Sequence, residues 1–212
     1  MGFISGVGDS IYFDPGTRII NNTFNISSRG VYISNHRAPI VEENTVHSTG
    51  DGIVLGGCRG ALKVLKNRVY FTHYRGIEIA SCEGTASERG LIANNFVRET
   101  SGYSYIRGLI LRNECSYQNV LYNTVIFNGE NLGAYGVFRA ETAGYPASNN
   151  QVLNNNFVCL DRVTAYVATP SMISLSDYNN IYNVSNTLAS WGGACPNLDS
   201  LQQASGMDLH SI

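Results

Sequence analysis

The sequence predicts an all-β chain wound as a parallel solenoid of about six to seven coils, on two interleaved repeats and one feature of composition. The first repeat reads apolar, two of any residue, Asn, one of any residue, apolar. It runs from Ile19 to Phe24 through Asn22, from Val41 to Val46 through Asn44, and from Val64 to Val69 through Asn67. It recurs from Leu91 to Phe96 through Asn94, from Val120 to Val125 through Asn123, and from Val152 to Phe157 through Asn155. These asparagines are 22, 23, 27, 29 and 32 residues apart. The second repeat is Gly followed by alternating apolar residues: Gly30-Val31-Tyr32-Ile33, Gly52-Ile53-Val54-Leu55, Gly76-Ile77-Glu78-Ile79, Gly108-Leu109-Ile110-Leu111 and Gly136-Val137-Phe138. It follows the Asn by 8, 8 and 9 residues, then by 14 and 13. Charged residues make up only 14% of the chain, and Asn (23), Gly (22) and Tyr (13) take their place. That composition suits short strands joined by many turns.

Each coil then holds two or three strands of three to five residues, too short for an independent sheet. Stacked coil on coil at ~4.8 Å, they pair in parallel and bury a continuous apolar column. Alternation sends Val31, Ile33, Ile53, Leu55, Ile77, Ile79, Leu109 and Leu111 inward, and Tyr32, Val54, Glu78, Ile110 and Phe138 outward. The recurring Asn belongs at a tight bend, where it tolerates a left-handed backbone and its amide can bond the Asn of the next coil. Cys58, Cys82 and Cys115 follow their Gly by six, six and seven residues, so they stack on one corner as small buried hydrophobes. Their parallel side-chain directions suit neither a disulfide nor a zinc site. His36 and His47 show no metal spacing and read as turn residues.

A length of 212 residues fits one domain: an irregular segment over 1–16, coils over 17–183 and a cap over 184–212. A net charge of −2 removes any bulk electrostatic case for nucleic-acid binding. No run approaches the ~20 apolar residues of a membrane span, and the first residues lack the basic and apolar regions of a signal peptide. Five Cys is an odd number, which excludes a fully paired disulfide framework in a monomer. In the cap, Asn197 reads as a helix N-cap, Leu198, Leu201 and Ala204 share one face, and Gly206 follows the helix end. This predicts a helix over 198–205 that buries Leu201. The glycine-rich N-terminal end carries no such cap, so an irregular strand, a second subunit or an upstream domain is expected to close it.

These repeats resemble the right-handed parallel β-helix of the pectin-lyase-like superfamily, whose coils carry an Asn ladder at the short turn. The resemblance covers residues 11–183. The stretch Ser176-Asp177-Tyr178-Asn179, then Leu198 to Gln202 and Gly206 to Ile212, is similar to the tail of bacterial secreted β-helix proteins, where one more strand usually follows. The resemblance implies a secreted or cell-surface, bacterial protein, truncated at the end, that binds a polysaccharide. A polysaccharide lyase or glycoside hydrolase activity is the catalytic form of that reading. A non-catalytic structural, adhesive or tailspike-like module is the alternative, since fold alone does not choose.

In that superfamily substrate lies along the outer face of the Gly-apolar strand, between its loops. Here the loops lengthen from the third coil onward, bringing Tyr103, Tyr105, Tyr135 and Tyr145 to a groove that suits sugar rings. The candidate carboxylates are Glu78 and Asp51, with Glu141 beyond the last strand. Offset by three residues and one coil, Asp51 and Glu78 approach ~11 Å, at or past the ~5–9.5 Å that a glycosidase pair needs. A uronate lyase needs a cation and a base; Arg75, Arg107 and Arg112 flank the face, with His73 and Tyr103 as conceivable bases. Neither the acidic Ca²⁺ cluster of pectate lyases nor the Asp-Asp pair of polygalacturonases is present. No metal or cofactor is therefore expected, Ca²⁺ having no clear site. The expected partners are a glycan and, through the N-terminal end, a second copy of the chain.

Overall fold

The computed structural model describes residues 2–5, 14–100, 106–128, 136–160 and 163–212. They form a parallel β-solenoid of about seven coils with one short helix. Three parallel sheets run along its length. A coil passes through them in turn, as Lys63–Leu65 in the second sheet, Arg68–Phe71 in the third and Arg75–Ala80 in the first. Pairing is in register: Val64 lies opposite Val41 and Ile92, Val69 opposite Val46 and Val97, and Ile77 opposite Ile53 and Leu109. The valine, isoleucine and leucine columns of the three sheets meet in one core with almost no exposure. Each such side chain contributes roughly 1.5–3 kcal/mol on burial. Toward the C-terminal end the core is aromatic, with Phe138 stacked on Phe157 at 5.0 Å and Tyr166 at 5.1 Å from Phe138.

The corners explain the two repeats. Between the second and third sheets, each Asn donates from its backbone N–H and its amide to the Oδ1 of the next: Asn44 to Asn67, both at 3.0 Å, and Asn95 to Asn123 at 3.1 and 2.9 Å. The Asn44 amide also donates to the Ile19 carbonyl at 2.8 Å, which leaves no amide hydrogen idle inside the turn. The column runs Asn22, Asn44, Asn67, Asn95, Asn123, Asn155, Asn179. Two expectations change here. The fourth member is Asn95 and not Asn94, so the first five intervals are 22, 23, 28, 28 and 32. The left-handed residue is the one before the column: Asn21, Glu43, Lys66, Asn94, Tyr122, Asn154 and Tyr178, all with φ of 53–57°. The column asparagine needs its amide pointing inward, and the residue ahead of it makes the bend.

Between the third and first sheets, Gly30, Gly52, Gly76 and Gly108 close the corner against a valine from the third-sheet strand of the next coil. A Cβ there would sit 2.3–2.4 Å from Cγ1 of Val46, Val69, Val97 and Val125. Gly136 lies one residue early, pairing with Arg107, so Phe138 falls in register with Leu109 and points inward, against expectation. Arg139 takes its place in the outer row. Val54, Glu78 and Ile110 do lie in that row but are buried and not exposed. Between the first and second sheets, Cys58, Cys82 and Cys115 stack as expected beside the paired residues Arg59, Glu83 and Ser116. They are free thiols, fully buried, and burial pushes Cys115 up to about 12. His36 joins this corner as a buried strand residue, and His47 lies on a strand of the third sheet, so neither is a turn residue.

The helix α1, Leu198–Ser205, has Asn197 as N-cap and a left-handed Gly206 behind it. Leu201 is fully buried, Leu198 packs on the core, and Ala204 is exposed. At the other end Gly2–Ser5 pairs in parallel with Val31–Ser34, giving the first sheet an N-terminal strand. Among the described residues, no helix is long and apolar enough to cross a membrane.

Position in the asparagine column sets the cost of losing a member. Asn67→Ala removes four buried hydrogen bonds, two accepted from Asn44 and one each donated to Val41 and Asn95, and is expected to destabilise by ~1–3 kcal/mol. Asn22→Ala, at the exposed end, is expected to cost about 0.5 kcal/mol or less. Urea unfolding of the two variants checks the difference; equal midpoints would mean that the column does not hold the coils.

Candidate functional site

The outer face of the first sheet carries a seam of charge across successive coils. The residue just before the corner glycine is Arg29, Asp51, Arg75 and Arg107 in four consecutive coils. Pairing places Arg75 beside Arg107, Glu78 beside Ile110, and Arg112 beside Glu141. The in-register stacking that buries the apolar columns inside therefore brings these charges together outside.

Asp51 is the hub at one end. Its Oδ2 lies 3.2 Å from Nε of Arg29 and its Oδ1 lies 3.4 Å from Nε of Arg75. Arg75 then reaches with Nη1 to Oε2 of Glu78, whose Oε1 is 3.6 Å from Nη1 of Arg112 on the next coil. Farther along, Glu141 receives Arg139 at 2.6 Å and Arg107 at 3.8 Å. Asp51 and Glu78 lie inside their arginines, the Glu78 side chain being 2% exposed against 43% for Arg112 and 25% for Arg75, whereas Glu141 is as exposed as the arginines it pairs with. Burial raises the Asp51 carboxyl above its ordinary value, and the nearby Arg75 and Arg29 charges offset this only in part. Arg75 is raised: burial opposes its charge, but Glu78 and Asp51 outweigh that. Burial lowers Arg107, with Glu141 opposing.

The candidate residues divide accordingly. Asp51, Glu78, Arg75 and Arg112 form one chain of ion pairs, and Arg107 pairs with Glu141 in a second cluster beside it. Asp51 and Glu78 flank a single guanidinium, which holds them closer than the ~11 Å expected from an offset of three residues and one coil. Both oxygens of Glu78 face arginines, and its side chain, expected to point outward from the strand, does so but is buried. His73 turns its Nδ1 to the Thr49 carbonyl at 2.6 Å, spending that proton on the backbone of the corner. Tyr145 is half-exposed, with its backbone N–H and C=O both bonded to the Thr142 hydroxyl. Tyr103, Tyr105 and Tyr135 lie outside the described residues.

Two members were not singled out from sequence, Arg29 and Arg139. Arg29 had a signal, a charged residue before every corner glycine from the first to the fourth. Arg139 had none, because the early Gly136 hides its phase. Among the described residues, no three His, Cys, Asp or Glu side chains converge on a metal position. The seam can hold guanidinium edges at fixed places on a sheet, with five arginines against three carboxylates, on a chain whose net charge is −2. No family model, no curated protein and no solved structure matches the chain.

The raised Asp51 has a measurable consequence. Its ionisation costs more in the folded than in the unfolded chain, so the stability it lends is complete below its ordinary value of 3.8 and lost as pH rises through its folded value. Asp51→Asn, which cannot ionise, is expected to gain thermal stability relative to the parent as pH rises above 3.8. Melting curves across that range check it; a difference that shrinks as pH rises contradicts it.

Proposed function

We propose that this protein binds a polysaccharide along the outer face of its first sheet, and that it is a right-handed β-helix of the pectin-lyase-like kind. The observation that supports the binding site is the seam itself. A solenoid needs no charge on its outer sheet face, and half-burying charged groups costs energy unless a partner offsets it. Here two buried carboxylates, Asp51 and Glu78, and the half-buried Glu141 hold arginines from four different coils. Arginine presents several donors in one plane, which suits ring hydroxyls and acidic groups alike. Because both Glu78 oxygens are occupied, binding is favoured over acid–base cleavage, and Glu78, Asp51 and Glu141 act as positioning residues for the arginines.

Affinity electrophoresis in gels containing neutral or acidic polysaccharides, with a reducing-sugar assay alongside, tests the reading. Arg112 is the most exposed arginine beside Glu78, so Arg112→Gln is expected to fold normally and weaken binding about tenfold, the equivalent of ~1.4 kcal/mol. Glu78→Gln is expected to weaken it similarly by releasing Arg75 and Arg112. Retardation that no polysaccharide produces, or that survives both changes, would return the seam to a purely structural role.

A further inference from the structure

A second depression lies on another face. On the outer side of the third sheet, Asn25, His47 and Tyr70 stand opposite one another on consecutive coils. Beside them, past the strand ends, run Thr49, Thr72 and Thr100. Together with Ile26 and Ser48 they line an open depression of about 470 Å³, within the ~300–1,000 Å³ of ligand sites.

Its surface is carbon where the sequence suggests hydroxyl. Thr72 donates to the Thr49 carbonyl at 2.7 Å, Thr100 to the Phe71 carbonyl at 3.1 Å, and Thr49 to the Ser27 carbonyl. Ser48 likewise donates to the Ser28 carbonyl. Three threonine hydroxyls thus spend their protons on the corner backbone, and the methyl groups remain for the depression. The rim is different. Among the described residues, no hydrogen bond within the protein occupies the Asn25 amide, the His47 ring nitrogens or the Tyr70 hydroxyl. His47 and Tyr70 are stacked at 4.7 Å with 8° between their planes, which holds the two rings parallel. Phe96 supports Tyr70 from the next coil at 6.0 Å.

From this the geometry points to a second ligand site, for a neutral pyranose segment lying along the solenoid axis. A methyl floor with three uncommitted polar groups at its rim matches a sugar ring, which has a C–H face and a hydroxyl edge. No Asp, Glu, Lys or Arg lines the depression, so an ionised ligand would lose hydration without a paired charge. The three threonines span two coil spacings, ~9.6 Å, which accommodates an oligosaccharide segment and not a single ring alone. This site is separate from the arginine seam and does not depend on it.

Threonine methyls make the test direct. The full chain, carbon-13 labelled at threonine methyls, is titrated with cello-, malto-, manno- and laminaritetraose. About 10 mM is reached, which fills most sites even at millimolar affinity. Expected are saturable shifts of the Thr49, Thr72 and Thr100 methyls with at least one of the four, and none there with a tetragalacturonate. Tyr70→Phe keeps the ring and removes the hydroxyl, and is expected to weaken that binding about three- to tenfold. Arg112→Gln, on the other face, is expected to leave it unchanged. Absence of shifts with all four sugars, or equal affinity in Tyr70→Phe, overturns the proposal whatever the outcome at the seam.

Discussion

The constraint on which the structure depends is the bend between the second and third sheets. Every coil has to turn there at the same place, or the parallel ladders of all three sheets lose register together. The asparagine column fixes that place by giving each amide partners on the coils before and after it. The backbone in front of it is left-handed at Glu43, Lys66, Tyr122 and Tyr178, side chains for which that conformation costs about 1 kcal/mol or more. The column offsets this, since several hydrogen bonds of about 1 kcal/mol each meet at every bend. With one corner fixed, extra residues can enter only elsewhere. Coil lengths vary from 22 to 32 residues without disturbing the stack.

This also explains what could be read from the sequence. Asn and Gly were visible because stereochemistry demands them: an amide of fixed reach at one corner, and no Cβ at the other. Where the demand is ambiguous, reading fails by one residue. Asn94 and Asn95 both satisfy the pattern, and only pairing shows that the first bends and the second bonds. Asn179 escaped because Ser176 stands where the motif expects an apolar residue. Gly136 kept the glycine signal but moved it, and carried Phe138 to the wrong face. Alternation gave the direction of Glu78 correctly but not its burial, because parity says where a side chain points and nothing about what covers it. The covering groups, Arg75 and Arg112, come from its own strand's start and from the next coil. The Arg112 contact joins positions 34 apart in sequence, with no local trace.

The seam shows how a repeating scaffold acquires a non-repeating site. Once the coils are in register, any charge placed before the corner glycine is delivered ~4.8 Å from its counterpart on the next coil. Like charges so placed repel, and Arg75 beside Arg107 is such a pair. Each is drawn aside by a carboxylate, Arg75 by Asp51 and Glu78, and Arg107 by Glu141. Burial raises the Asp51 carboxyl even with two arginines beside it, whereas Glu78 and Asp51 together raise Arg75.

The ends of the solenoid obey the same logic. At the C-terminal end the column passes from amide to hydroxyl and carboxylate. The backbone N–H of Asn179 donates to the Ser211 hydroxyl at 2.9 Å, and its amide donates to Asp208 at 3.0 Å. Ser211 in turn donates to Asp208, while His210 stacks on Tyr178 at 4.8 Å. Beside this, α1 lies on the last strands of the first sheet and buries Leu201. At the N-terminal end Ile19 and Phe24 are only partly covered. A head-to-tail filament needs both ends open, because each contact joins one end of each kind. At the C-terminal end of the described residues α1 covers the edge that the core column would otherwise present.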